Sequence, residues 1–312
     1  MKFPRPVSLV AALITLLASF GTMRAQTVNL TADAAQTVRI VDERIFGANS
    51  VIWDGEASTA QTISLLNAAG LRSIRCPGGS LSDEYHWRIN KSLANTWSWA
   101  TSFNGFVNII TGVNAKAYVT VNYGTGTPEE AAGLVAYLNA ATGASTAIGT
   151  DSKGYDWQNA GTWAAIRAAA PISPDDGMNF LRISRSAAVG AKYWEIGNEC
   201  YGVWETDQQA LAHDPTTYAN RAAQYIAKMK AVDSSIKIGV VAVTSSENAS
   251  YNNWTPTMLN RLKALNATPD FLIYHRYPQA PGAESDAVLL QNASQWTNVA
   301  NDLRQQLSTA FG

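Results

Sequence analysis

The chain has 312 residues, a net charge of −1, 15% charged residues and 46% hydrophobic residues. That length fits one large domain or two ordinary ones with a sizeable core, and the charge balance excludes the basic footprint of a nucleic-acid binder. Ten tryptophans and twelve tyrosines among so few charges suit a protein that handles neutral, polar, ring-shaped ligands, although aromatic residues are core-formers first.

Lys2 and Arg5 precede an unbroken apolar and small-residue run over 7–20, and Ala25 stands before Gln26. This pattern predicts a secretory signal peptide over 1–25, cleaved after Ala25, and hence export to the periplasm or the outside. The run is short for a membrane span, and no later stretch qualifies, so no membrane partner is expected after cleavage. Cys76 and Cys200 are the two cysteines. Export permits a disulfide between them, and the sequence leaves that pairing open. Two Cys and three scattered His are too few for a metal set, and no cofactor is expected.

Residues 26–44 predict one or two lead-in strands, with weak alternation over 28–41. From Ile45 a second rhythm begins. A strand is expected over 45–53, a helix over 57–69, a strand over 71–75 and a helix over 103–113. A strand over 115–121 and a helix over 128–141 follow, the latter opened by a capping box of Thr127 and Glu130. Residues 142–174 read as an irregular excursion, and 177–189 as a helix. Next come the strand 192–197, the helix 218–232, the strand 236–243, the helix 254–265, the strand 271–274 and a long helix over 287–310.

Six strands alternating with helices predict parallel βαβ units. The chemistry-bearing residues gather just after the strands, as expected for an α/β protein of the (β/α)8 TIM-barrel type with about six β/α units over 45–312. A doubly wound open sheet is the alternative. No Gly-x-Gly-x-x-Gly opens a helix after the first strand. The Tyr123-Gly124-Thr125-Gly126 turn leads into Glu129 and Glu130, which would repel a phosphate.

The segment Tyr193-Trp194-Glu195-Ile196-Gly197-Asn198-Glu199 reads as a buried strand delivering a carboxyl group to the rim of an apolar sheet. Partial desolvation there is expected to hold the proton of Glu199 to higher pH and to suit it as a general acid.

Four segments in order resemble the family-51 α-L-arabinofuranosidases, retaining glycosidases built on (β/α)8 barrels. They are Arg75-Cys76-Pro77-Gly78-Gly79-Ser80 with Tyr85-His86-Trp87, then Asn122-Tyr123-Gly124-Thr125-Gly126-Thr127-Pro128-Glu129-Glu130-Ala131-Ala132, then Trp194 to Glu199, and His275-Arg276-Tyr277. The resemblance implies that Glu199 is the general acid/base and that Asn198 bonds a sugar hydroxyl. It further implies that Arg75, Ser80, Asn122, His275 and Tyr277 line the substrate site, and that the partner is an oligosaccharide or polysaccharide. On strand alternation Arg75 is also a candidate ion-pair partner of Glu195. Trp87, Trp97 and Trp204 are candidates for a sugar-stacking platform or for packing, and Asp83 and Glu84 read as solvated loop charges.

The chain departs from the family in three places. Ser80 stands where the family has Asn, and Phe46-Gly47-Ala48-Asn49-Ser50-Val51 offers no acid before Asp54. Both changes weaken an arabinofuranose specificity and leave an activity on β-linked glucan or xylan open. The family's nucleophile ends the seventh strand, whereas Gly312 follows the sixth unit, so a fragment without its nucleophile is expected. A non-catalytic carbohydrate-binding protein is the reading from another class. An inverting hydrolase pairing Glu199 with Glu284 or Asp286 is a third.

Overall fold

A computed structural model of the chain describes residues 29, 31, 33, 35–37, 39–50, 52–92 and 100–312. The expected signal peptide over 1–25 and Trp97 lie outside them. The chain divides into two compact units, Met1–Val41 and Asp42–Gly312. In the first unit, the described residues form no strand, and residues 26–28, 30, 32, 34 and 38 of the expected lead-in lie outside them. Asp33 makes a turn by accepting the Ala35 N–H on its side chain and the Gln36 N–H on its carbonyl.

The second unit carries six strands: β1 (Gly47–Asn49), β2 (Ser73–Cys76), β3 (Lys116–Val121), β4 (Tyr193–Ile196), β5 (Lys237–Val241) and β6 (Phe271–Ile273). They pair in sequence order and all in parallel, forming a half-barrel with helices on its outer face, and β1 and β6 remain its two edges. The register sets Arg75 beside Tyr118 and Glu195 beside Thr120.

The main connecting helices are α1 (Ala60–Ala68), α2 (Phe103–Val113), α3 (Pro128–Asn139), α4 (Ala160–Ala168), α5 (Pro215–Val232), α6 (Ser245–Asn248), α7 (Trp254–Ala264), α8 (Asp286–Gln291) and α9 (Gln295–Phe311). Their starts are written locally. Thr59, Thr127, Asn159 and Asp214 each accept a backbone N–H of the first turn, which satisfies a donor that the helix itself cannot. The box at α3 is only half formed: Thr127 accepts the Glu130 N–H, but the Glu130 carboxylate turns instead to His86 Nδ1 at 3.0 Å.

Strand alternation divides the side chains between two faces. Val119, Val121, Trp194, Ile196, Ile238 and Val240 are buried in the core. Tyr218, Tyr225 and Trp254 on the helices pack there too, and donate their polar hydrogens to the carbonyls of Ile196, Asn122 and Val241. The inner face carries Arg75, Tyr118, Thr120, Tyr193 and Glu195. Tyr118 and Tyr193 stack at 4.8 Å, Phe271 stands edge-on to both, and these rings line a cavity of about 660 Å³.

Three sequence expectations fail here. Residues 142–174 are not wholly irregular, because α4 lies within them. Residues 177–189 are not a helix: only a 3-10 turn, Asn179–Leu181, forms. The buried Arg167 guanidinium instead takes the carbonyls of Arg185 and Ser186, so those carbonyls are drawn out of any helical ladder. The long C-terminal helix is broken into α8 and α9 by a 3-10 turn at Asn292–Ser294.

Candidate active site

The carboxyl ends of the strands enclose a cleft of about 540 Å³. Arg75 is the last residue but one of β2, Ser80 follows that strand, Asn198 and Glu199 follow β4, and His275 and Tyr277 follow β6; all six line the cleft. The structure therefore brings together six of the seven residues expected at the site. Asn122 stands apart. It is buried, its Oδ1 accepts the N–H groups of Thr125 and Gly126, and its Nδ2 donates to Thr125 Oγ1. It ties the turn after β3 and is not among the residues lining the cleft.

Glu199 is half-buried, on a turn that standard backbone preferences disfavour. Gly197 has φ +72° and Glu199 itself φ +41°, a left-handed conformation uncommon for a residue with a Cβ. The turn has no room for a larger residue at 197, since an added Cβ would lie 2.4 Å from Cys200 Sγ. On the Glu199 side chain, Oε1 lies 2.7 Å from His275 Nδ1, and Oε2 accepts the Trp204 indole N–H at 2.9 Å. The His275 bond is the main reason its carboxyl lies below the ordinary range; burial pushes the other way, and the Trp204 bond adds to the lowering. This corrects the expectation of a raised carboxyl, because the two donors outweigh partial desolvation.

Asn198 is fixed on every side. Its Oδ1 accepts from Arg75 Nη2 at 3.0 Å, its Nδ2 donates to Glu205 Oε1 at 2.8 Å, and its backbone N–H donates to Asp83 Oδ2 at 2.9 Å. Arg75 also donates to Glu195 Oε2 at 2.6 Å, and Thr120 Oγ1 donates to the same oxygen at 3.1 Å. The ion pair considered from strand alternation is thus formed, on the inner face. Ser80 donates to Glu205 Oε1 at 2.9 Å.

Several residues take unexpected places. Asp83 is not a solvated loop charge; it is 0% exposed. Glu84 is half-buried and accepts from Thr206 Oγ1 at 2.9 Å. Trp87 is buried in the core, its indole N–H donated to the Glu130 carbonyl, so it is no sugar platform. Trp204 does line the cleft, 54% exposed, and Gly202 lets its ring lie across the backbone, where a Cβ would meet the ring at 2.4 Å. Asn49, Tyr274 and Trp296 line the cleft as well. No motif marked them, and only an exposed Trp beginning a polar helix could have drawn attention to Trp296.

Glu199 is the one carboxylate among the described residues lining the cleft. Glu284, which accepts the Gly282 N–H in an exposed turn, and Asp286 do not line it. Cys76 and Cys200 are both buried and free. Among the described residues no cluster could hold a metal ion, and no helix is long and apolar enough to cross a membrane.

No model of a known protein family matches the chain. It is similar to α-L-arabinofuranosidase C of Emericella nidulans, 24% identical over 227 residues that make up 69% of this chain and 38% of that protein. An intracellular exo-α-(1→5)-L-arabinofuranosidase of Halalkalibacterium halodurans is 23% identical over 234 residues, 71% of this chain and 40% of that one. The chain thus spans about two fifths of the length of these curated relatives. In fold it is similar to a family 51 α-L-arabinofuranosidase from Bifidobacterium longum, with a TM-score of 0.63, 18% identity, and coverage of 88% of this chain and 54% of that structure. The chain is therefore similar in sequence to curated α-L-arabinofuranosidases, and in fold its six parallel β/α units are similar to part of the barrel of a family 51 member.

Proposed function

We propose that the chain carries the sugar-binding and acid/base part of a retaining glycoside hydrolase of the arabinofuranosidase type, acting on plant-type polysaccharide. The observation that carries this reading is Glu199, set in a cleft at the carboxyl ends of parallel strands with His275 and Trp204 on its two oxygens. Glu199 protonates the leaving glycosidic oxygen and afterwards takes a proton from water. His275 Nδ1, at 2.7 Å, is close enough to pass that proton to and from the carboxylate. Asn198 Nδ2 gives one hydrogen to Glu205 and keeps the second for a sugar hydroxyl. Trp204, Tyr277 and Trp296, respectively 54%, 79% and 48% exposed, offer apolar faces to sugar rings. The leader-like pattern over 1–25 supports export to the periplasm or the outside.

Retaining hydrolysis needs a second carboxylate about 5–5.5 Å from the first, and the described cleft lining holds Glu199 alone. That observation also favours a second reading, a carbohydrate-binding protein without turnover. Calorimetry with arabino-oligosaccharides together with an aryl α-L-arabinofuranoside assay separates the two. Turnover that Glu199→Gln removes supports the hydrolase, and tight binding without any turnover supports the binding protein. Neither binding nor turnover would overturn both.

A further inference from the structure

We propose that Asp83 is a positioning residue whose carboxyl group latches together the loops after β2, β3 and β4 and holds Glu199 in its left-handed backbone conformation. The inference rests on the reading of Glu199 as acid/base. Asp83 ends a 3-10 turn, Ser80–Asp83, that Ser82 closes by donating its hydroxyl to the Gly79 carbonyl. From there the carboxyl group reaches two other loops. Oδ1 accepts the N–H groups of Tyr123 and Gly124 at 2.9 and 3.2 Å, and Oδ2 accepts that of Asn198 at 2.9 Å. The Asp83 carbonyl completes the latch by accepting from Thr125 Oγ1 at 3.0 Å.

The third amide is the one that concerns the cleft. It belongs to the residue before Glu199, so the disfavoured turn is held on both sides. On one side Asn198 N–H is anchored to Asp83, and on the other the Gly202 N–H reaches the Glu199 carbonyl at 2.7 Å. Close packing leaves no slack, because a Cβ at Gly197 would lie 3.2 Å from Asp83 Oδ1. The chemistry is specific to a carboxyl group. Both oxygens face N–H donors, so an asparagine must turn its own NH₂ toward one of them and lose that bond.

The titratable groups facing Asp83 are Glu205 and Cys200 from the loop after β4, and Tyr218 and Tyr225 from α5. Burial pushes the Asp83 carboxyl up to about 8, against the three amide bonds, which pull it down. Ionisation of this one group is therefore readable in all three amides.

The test is a pH titration of the 312-residue chain by NMR, which needs no turnover. The amide resonances of Tyr123, Gly124 and Asn198 are expected to move with one common midpoint, and the Glu199 carboxyl carbon to show a secondary step at that same pH. Asp83→Asn is expected to shift the Glu199 midpoint toward the ordinary glutamate value while circular dichroism stays native. Separate midpoints for the three amides would overturn the latch. So would a folded Asp83→Asn variant with an unchanged Glu199 titration. Should that variant not fold, the wild-type midpoints decide alone. The reading of Glu199 as acid/base is tested elsewhere, by turnover in Glu199→Gln, so the two can fail independently.

Discussion

His275 Nδ1 stands 2.7 Å from Glu199 Oε1, although the two residues come from strands two places apart in the sheet. The parallel order makes this meeting possible, because β4 and β6 both point their carboxyl ends into the same cleft. The bond favours the ionised carboxylate and is the first cause of its lowered position. His275→Ala is therefore expected to raise the pH at which Glu199 titrates, since burial then acts against only the Trp204 bond and the charge of Arg75. Carboxyl-carbon NMR reads this directly, and an unchanged titration would show that the contact does not bear on the acid.

Glu199→Gln keeps the size of the side chain and removes the transferable proton. A positioned general acid or base contributes about 10²–10⁴-fold, and a loss of that order in aryl-glycoside turnover is expected wherever turnover is measurable. The chain itself is expected to turn over slowly, because the described lining of the cleft offers Glu199 without a second carboxylate. An ordinary enzymatic rate from the purified chain would reveal a nucleophile that the cleft geometry does not include.

The strands were legible because buried parallel strands read as apolar runs and their loops carry the polar chemistry. Five strands closely match the runs that predict them, and the cleft residues follow from loop motifs at their ends. Asp83 was not legible. Leu81-Ser82-Asp83-Glu84 reads as a polar loop, and its burial depends on amide donors 40 and 115 residues further along. Trp87 and Asn122 misled for a related reason: each sits in a site-like motif, yet spends its polar atoms on groups inside the fold. Sequence shows which residues stand near a strand end, whereas the packing decides whether a side chain turns to the cleft or to the core.

The Arg75–Glu195 pair provides a test of the inner face. Their side chains are 15% and 6% exposed, so removing one partner strands a buried charge. Arg75→Met is expected to cost on the order of 3–5 kcal/mol. Adding Glu195→Leu should restore much of that loss, because an apolar pair of similar volume avoids the desolvation cost altogether. Urea unfolding of the two single variants and the double variant measures the coupling. Additive losses would show that Thr120 and water, rather than Arg75, satisfy Glu195.

Stability should depend on pH in two separable windows. At Asp270, burial pushes the carboxyl up, but the bonds from Lys230, the Ile238 N–H and Lys237 outweigh it and hold the group below the ordinary range. A lowered carboxyl stabilises the fold above its unfolded value, about 3.9, and that contribution is lost as pH falls below it. Asp83 acts in the opposite sense. With its carboxyl pushed up to about 8 by burial, the folded chain holds a proton that the unfolded chain has released between about 4 and 8, so stability falls as pH rises across that interval. Glu205 is raised chiefly by burial, against its bonds from Ser80 and Asn198, and contributes with the same sign. Urea midpoints are thus expected to decline from pH 5 to pH 8, and Asp83→Asn, which cannot ionise, to flatten much of that slope. A wild-type midpoint that climbs over this range would mean that Asp83 is ionised throughout, with its three amide donors outweighing the cost of burying the charge.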